Sequence, residues 1–149
     1  MRLMRSGIIA LAAALAIAAP ASAQPPSHGP AGDIPDFTID GACPFPVLVH
    51  TPVNRERATT LYDAAGSAVK TIITGALFAR LTNLDSGSWV DLNVSGPLVI
   101  DEVNGVLTFT GHSLGWFDGT PGLRLYKGRY DAEASGTGTS VDVCALLAG

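Results

Sequence analysis

From Phe37 onward, apolar and polar residues alternate in short runs interrupted by Gly, Pro, Asn, Asp and Ser. A period of two predicts β-strands with one buried face and one solvated face. In residues 88–95, for example, Val90, Leu92 and Val94 face one way and polar residues face the other, as in an antiparallel sheet. The candidate strand segments are residues 37–40, 46–50, 59–62, 69–74, 77–84, 88–95, 98–103, 106–110, 114–117, 123–126, 129–134 and 139–144.

Turn residues between these runs predict β-hairpins. Asp85-Ser86-Gly87 joins one pair of strands, and Asn104-Gly105 is a strong type I′ signal for another. Residues 63–67 predict a third turn, although residues 54–65 could instead form a two-turn helix. We favour the hairpin because Thr59 and Thr60, which precede the turn, are β-branched residues that favour a strand over a helix. The fold is therefore predicted to be all-β: a single antiparallel β-sandwich or small closed barrel of about nine or ten short strands.

The N-terminus has the pattern of a secretory signal peptide. Arg2 and Arg5 precede an uninterrupted apolar run over residues 8–19, and Ala21-Ser22-Ala23 has the small residues that a signal peptidase accepts. The run is too short to span a membrane, which takes about 20 residues. We expect cleavage after Ala23, secretion to the exterior or the cell envelope, and no transmembrane anchor in the mature chain.

A proline-rich segment follows the signal peptide. Residues 24–35 contain four prolines and two glycines, which disfavour a helix or a central strand. Residues 24–36 are therefore predicted to form a flexible leader, and residues 37–149 the β-domain.

The chain has two cysteines, Cys43 near the start of the predicted domain and Cys144 near its end. In an exported protein such a pair predicts a disulfide. The alternatives are two separate buried thiols or a redox pair. Neither cysteine lies in a Cys-x-x-Cys motif and no histidine is close in sequence, which disfavours metal and redox roles.

Three motifs carry a resemblance to known proteins. They are Cys43-Pro44-Phe45-Pro46-Val47, Ser95-Gly96-Pro97 and Asp142-Val143-Cys144-Ala145-Leu146-Leu147. With them, residues 37–147 resemble small secreted bacterial β-rich proteins of unknown function that have C-x-F-P and D-V-C-x-L-L cysteine motifs. The resemblance implies export and a disulfide-closed β-domain, and it implies no activity.

Gly111-His112-Ser113-Leu114-Gly115 matches Gly-x-Ser-x-Gly, the nucleophile elbow of lipases and esterases. An elbow requires a strand that turns sharply into a helix, and the residues after this motif have an aromatic, turn-like pattern instead. No histidine follows His112 to act as the base. We therefore expect a glycine-flanked β-turn, no enzymatic activity, no cofactor and no metal site.

Composition restricts the partners. A chain of 149 residues with 47% apolar residues allows one domain with a core. Net charge is -4, and loss of two signal-peptide arginines would leave seven basic and thirteen acidic residues. No Lys/Arg cluster is present to neutralise phosphates, so we expect no nucleic-acid binding.

The aromatic residues Trp89, Trp116 and Phe117 are candidate ligand contacts, with burial in the core as the alternative. We expect a secreted, non-enzymatic β-domain that binds a ligand or acts at the cell surface. The alternative is a carrier of small apolar ligands, whose closed barrel would have Trp116 and Phe117 at the mouth of its cavity.

Overall fold

A computed structural model of the protein describes residues 23–116, 122–132 and 135–149. The predicted signal peptide up to residue 22, and Phe117, lie outside the described residues. Strands are numbered along the chain, and the one helix of the described part, α1 (Val143–Leu147), follows the last of them.

Two antiparallel sheets form the fold. In spatial order, the larger sheet contains β1 (Ser27–Pro30), β4 (Arg57–Tyr62), β5 (Ala68–Thr74), β8 (Leu98–Asp101), β9 (Val106–Gly115), β10 (Arg124–Asp131) and β11 (Gly136–Asp142). The smaller sheet contains β2 (Phe37–Ile39), β3 (Val47–Asn54), β6 (Leu77–Asn83) and β7 (Trp89–Asn93).

The all-β prediction is confirmed, and of its two forms the sandwich is correct. The larger sheet ends at β1 and β11 and the smaller at β2 and β7, so neither sheet closes on itself. The closed-barrel alternative is wrong. The inward-facing residues of the smaller sheet form most of one core, against which Leu114 and Leu125 of the larger sheet pack.

Helix α1 packs at one end of this core. Asp142 caps the helix by accepting a hydrogen bond from the Ala145 amide at 3.1 Å. Val143 and Leu147 on its inner side are fully buried. The predicted last strand, residues 139–144, therefore ends at Asp142, where the chain turns into the helix.

The disulfide between Cys43 and Cys144 is present, as predicted. It links residues 101 positions apart, with their Cα atoms 5.4 Å from each other. Cys43 lies in the loop between β2 and β3, and Cys144 belongs to α1. The bond therefore connects the first two strands of the smaller sheet to the C-terminal helix.

The favoured hairpin turn over residues 63–67 is confirmed, and the helix alternative is wrong: Asp63 Oδ1 accepts hydrogen bonds from the amides of Ala65 and Ser67, each at 2.9 Å. The β8–β9 hairpin has a four-residue loop, since Asp101 pairs directly with Val106, and not the two-residue type I′ turn. The Asp101 carboxylate accepts hydrogen bonds from the loop, which lowers its pKa and favours the longer turn.

The prediction of a flexible leader is wrong at Ser27–Pro30, which form β1 and pair with Arg57–Thr60 in β4. The prolines had argued against a central strand. β1 instead lies at the edge of its sheet, where a proline is tolerated because one side of the strand needs no hydrogen-bond donor.

The expected turn at residues 111–115 is also wrong, because this segment lies inside β9. Gly111, Gly128 and Gly138 are direct neighbours across β9, β10 and β11, and all have positive φ (85°, 147° and 150°). An L-residue rarely adopts this conformation. The glycines therefore interrupt the regular backbone of three adjacent strands at one position without ending them. One continuous strand, β10 (Arg124–Asp131), replaces the two strands predicted over residues 123–126 and 129–134.

Candidate ligand-binding cavity

A cavity of about 250 Å³ lies between the two sheets, toward the end of the sandwich away from α1. The two ends of β6 indicate that the cavity and α1 lie at opposite ends of the sandwich. Its first residues, Leu77 and Ala79, line the cavity, whereas Asn83 at its other end donates a hydrogen bond to the carbonyl oxygen of Leu147 in α1. The smaller sheet has four strands and the larger seven, so the smaller sheet leaves part of the larger one uncovered.

Apolar side chains from both sheets form the walls. Val49 and Ala79 contribute from the smaller sheet, where both are buried. Ile73, Leu98 and Phe109 contribute from the larger sheet, and they are direct neighbours in its ladder, since Ile73 pairs with Leu98 and Leu98 with Phe109. This register places three large apolar side chains in one row across β5, β8 and β9.

The change of course at Gly111 also shapes this wall. Phe109 and Leu114 both line the cavity although they lie five positions apart in one strand. In a regular strand residues separated by an odd number face opposite sides of the sheet. Gly111, between them, has a φ of 85°, and this interruption of the alternation lets both residues face inward.

Aromatic residues lie at the rim. Trp116 directly follows β9, lines the cavity and is 50% exposed. Phe37, 41% exposed, lies at the same rim. The sequence pattern predicts a strand at Phe37 but does not mark this residue as part of a site. Phe37 shares a face of β2 with buried Ile39, two positions further along, and this spacing indicates an inward-facing side chain.

Trp89 is not brought to this cavity. It is 58% exposed on β7, and the guanidinium carbon of Arg80 lies 4.2 Å from the centroid of its ring, a cation–π arrangement. Arg80 also donates two hydrogen bonds of 2.8 Å to the Asp91 carboxylate. Of the three predicted ligand-contact residues, Trp116 therefore lines the cavity and Trp89 does not, and Phe117 lies outside the described residues.

Four residues with polar side chains line the cavity: Thr51, Glu56, His112 and Ser113. The Thr51 hydroxyl donates to the carbonyl oxygen of Ile34 at 3.0 Å and is therefore used within the fold. Glu56 had not been singled out, because a lone glutamate between two strands has no local pattern that marks it as functional.

Backbone hydrogen bonds hold Glu56 in place between β3 and β4. Its amide donates to Asn54 Oδ1 at 3.1 Å, and its carbonyl oxygen accepts from the Ala31 amide at 3.0 Å. Within the described ranges, its carboxylate has no ion-pair or hydrogen-bond partner. Burial raises the pKa of the Glu56 carboxyl, because removal from water disfavours the charged form.

The residues Gly111–Gly115 do not form a nucleophile elbow. Ser113 lies inside β9, paired with Tyr126 of β10, and not at a strand-to-helix turn. In the part of the chain that is described, its hydroxyl makes no hydrogen bond to an imidazole; His28 bonds to Thr59 and His50 to Asp36.

Two other hollows are less suited to an apolar ligand. One of about 430 Å³ lies beside the disulfide and is bounded by Arg124, Asp142, Phe45 and small residues. The other, of about 330 Å³, lies over Arg129 and Asp131. The cavity between the sheets is lined mainly by apolar residues from both layers.

Comparison of the chain with protein-family models, with curated proteins and with solved structures finds no match. The resemblance to small secreted bacterial proteins therefore stays a prediction. Across the described ranges, no helix has the length and hydropathy needed to span a bilayer. In the same ranges, no three His, Cys, Asp or Glu side chains are grouped so that they could hold a metal ion.

Proposed function

We propose that the protein is an exported, non-enzymatic β-domain that binds a small apolar molecule between its two sheets. The observation that carries this proposal is the row of Ile73, Leu98 and Phe109 facing Val49 and Ala79 across an open space. Apolar side chains around a concave space, with few polar groups, are typical of small-molecule sites. The ligand lies between the sheets of a sandwich and not inside a barrel.

The size of the cavity sets the size of the ligand. An engineered apolar cavity of about 150 Å³ holds a benzene molecule. At about 250 Å³, the cavity between the sheets accommodates a somewhat larger apolar group, such as a short alkyl chain or a substituted ring. Trp116 at the rim contributes a large, half-exposed ring that a bound molecule covers.

Trp116 also provides a direct binding assay. The chain has two tryptophans, and Trp89 lies away from the cavity, so Trp89→Phe leaves Trp116 as the single indole reporter. Titration of this variant with 1-octanol should change the Trp116 fluorescence saturably, and calorimetry should give the same dissociation constant. Absence of saturable binding by both methods would refute the proposed function.

A cavity-filling substitution locates the binding. Ala79→Leu adds three carbon atoms to the buried wall of the cavity, and we expect it to weaken octanol binding at least about tenfold by occupying the space. Thr82→Leu is the matched control, because Thr82 lies on the same strand but faces the opposite side of the sheet. Equal loss of binding in both variants would place the ligand elsewhere.

The absence of hydrolase activity is tested at the motif in β9. Ser113→Ala should change stability by no more than about 0.5 kcal/mol, whereas Gly111→Val should cost about 1–3 kcal/mol because φ at Gly111 is 85°. Neither variant nor the wild-type protein should hydrolyse short p-nitrophenyl esters. Ester turnover that disappears in Ser113→Ala would overturn the non-enzymatic assignment.

Export is supported by the sequence pattern of residues 1–23 and by a disulfide compatible with an oxidising compartment. Protein recovered outside the cytoplasm should have an intact mass corresponding to a chain that begins at Gln24. A secreted form that retains residues 1–23 would contradict this proposal.

A further inference from the structure

We infer that the ligand carries a cationic amino group at one end of its apolar body, and that the carboxylate of Glu56 at the cavity wall binds this group. This inference rests on the proposed function and specifies the chemical class of its ligand. Glu56 lines the same space as Ile73, Phe109 and Trp116, so one acidic residue borders it together with apolar ones.

The charges around the cavity favour a cation. Glu56 and His112 are the titratable side chains among the described residues that line it, and no lysine or arginine lines it with them. An anionic head group, such as that of a fatty acid, would face the Glu56 carboxylate with no positive charge beside it. Like charges repel strongly in a partly desolvated site, whereas an ammonium group provides the missing counter-ion.

The carboxylate of Glu56 is also available. As described above, it has no hydrogen-bond or ion-pair partner in the described part of the protein, although it is partly removed from water. Its raised pKa reflects that uncompensated burial. An ammonium group donates hydrogen bonds to a carboxylate in charge-assisted pairs, which are stronger than neutral ones.

The aromatic rim adds to the same preference. Trp116 and Phe37 are half-exposed at the cavity, and the faces of aromatic rings attract cations. The negative net charge of the protein favours the approach of a positively charged molecule as well. Carboxylate, aromatic rings and apolar wall together fit an amphiphilic amine better than an alcohol or an acid of equal chain length.

The experiment compares three ligands with the same eight-carbon chain: octylamine, 1-octanol and octanoate, titrated at neutral pH into the Trp89→Phe protein. We expect octylamine to bind at least about tenfold more tightly than octanol, and octanoate more weakly than octanol. Glu56→Gln should remove the preference for octylamine over octanol. Glu102→Gln is the matched control, because Glu102 is exposed and accepts a hydrogen bond from Thr71 away from the cavity.

The outcomes separate the inference from the proposed function. If octanol binds and octylamine binds no more tightly, or if the preference persists in Glu56→Gln, the inference about the amine is wrong while the apolar site stands. If octanol does not bind, the proposed function itself is wrong. Nuclear magnetic resonance spectra of Glu56→Gln that match those of the wild-type fold exclude unfolding as the cause of a lost preference.

Discussion

Removing the disulfide should be the most damaging of the small changes to this domain. The bond closes a loop between residues 101 positions apart, from the beginning of the smaller sheet to α1. In the chain-entropy model, a cross-link across about 100 residues stabilises the folded state by about 4.7 kcal/mol, because it restricts the unfolded chain. The double variant Cys43→Ala/Cys144→Ala should therefore lose about 4–5 kcal/mol of unfolding free energy.

The folded structure itself should survive this change. Val143 and Leu147 keep α1 in the core, and the Asn83 side chain still donates to the Leu147 carbonyl oxygen at 3.2 Å. Because these contacts do not depend on the bond, the loss arises mainly in the unfolded state. That state becomes more expanded without the cross-link, so the dependence of unfolding free energy on denaturant should also become steeper.

Guanidinium denaturation of the mature chain, followed by circular dichroism, measures both quantities. Oxidised wild-type protein should unfold at a clearly higher denaturant concentration than the double variant. Wild-type protein in excess dithiothreitol should coincide with the variant, since both lack the cross-link. A variant within about 1 kcal/mol of the oxidised protein would refute the chain-entropy reasoning for this fold.

Three further substitutions test particular contacts. Gly128→Ala should lower the free energy of unfolding by more than about 2 kcal/mol, measured by thermal denaturation, because φ at Gly128 is 147° and the new Cβ would lie 2.2 Å from the Thr137 carbonyl oxygen. Gly29→Ala is the control: its new Cβ would have no atom within 4 Å, and the loss should be under about 0.5 kcal/mol. Asn83→Ala should lower the free energy of unfolding by about 1–3 kcal/mol, measured by urea denaturation. The substitution removes the hydrogen-bond donor to the buried carbonyl oxygen of Leu147 and the acceptor for the turn amides of Asp85 and Ser86. Glu56→Gln should raise the melting temperature at neutral pH. Because the pKa of Glu56 is higher in the folded protein than its ordinary value of 4.5, the wild type loses stability as the pH rises from 4.5 through the pKa of the folded state. The difference in melting temperature between Glu56→Gln and the wild type should therefore vanish below pH 4.5. A difference that persists there would show that burial of the charged carboxylate is not its cause.

Local pattern alone predicted much of the fold. The alternation in residues 88–95 places Leu92 and Val94 in the core, as found, because adjacent side chains in a strand face opposite sides. Asp85-Ser86-Gly87 joins β6 and β7 as expected. With only two cysteines in the chain, the pairing of Cys43 with Cys144 had no competing alternative partner.

Glycine was the residue type most open to misinterpretation. Within one strand, Gly111 has the same local signature as a turn, and only its neighbours Gly128 and Gly138 on adjacent strands distinguish the two. Those neighbours are distant in sequence. Their register depends on the pairing of β9, β10 and β11, which no short window of sequence contains.

The candidate site depends still more on the tertiary structure. Trp89 and Trp116 are equally prominent in the sequence, yet the sandwich places one beside Arg80 and the other at the cavity. Glu56 becomes a candidate binding residue only because β3 and β5 bring apolar side chains around it. Alternation along the chain predicted most of the strands of the β-domain and which side chains share a face, since that depends on neighbours in sequence, although it missed β1 and the continuity of β9 through Gly111. The space between the sheets, and the charge within it, depend on residues far apart in sequence and were decided by how the two sheets pack.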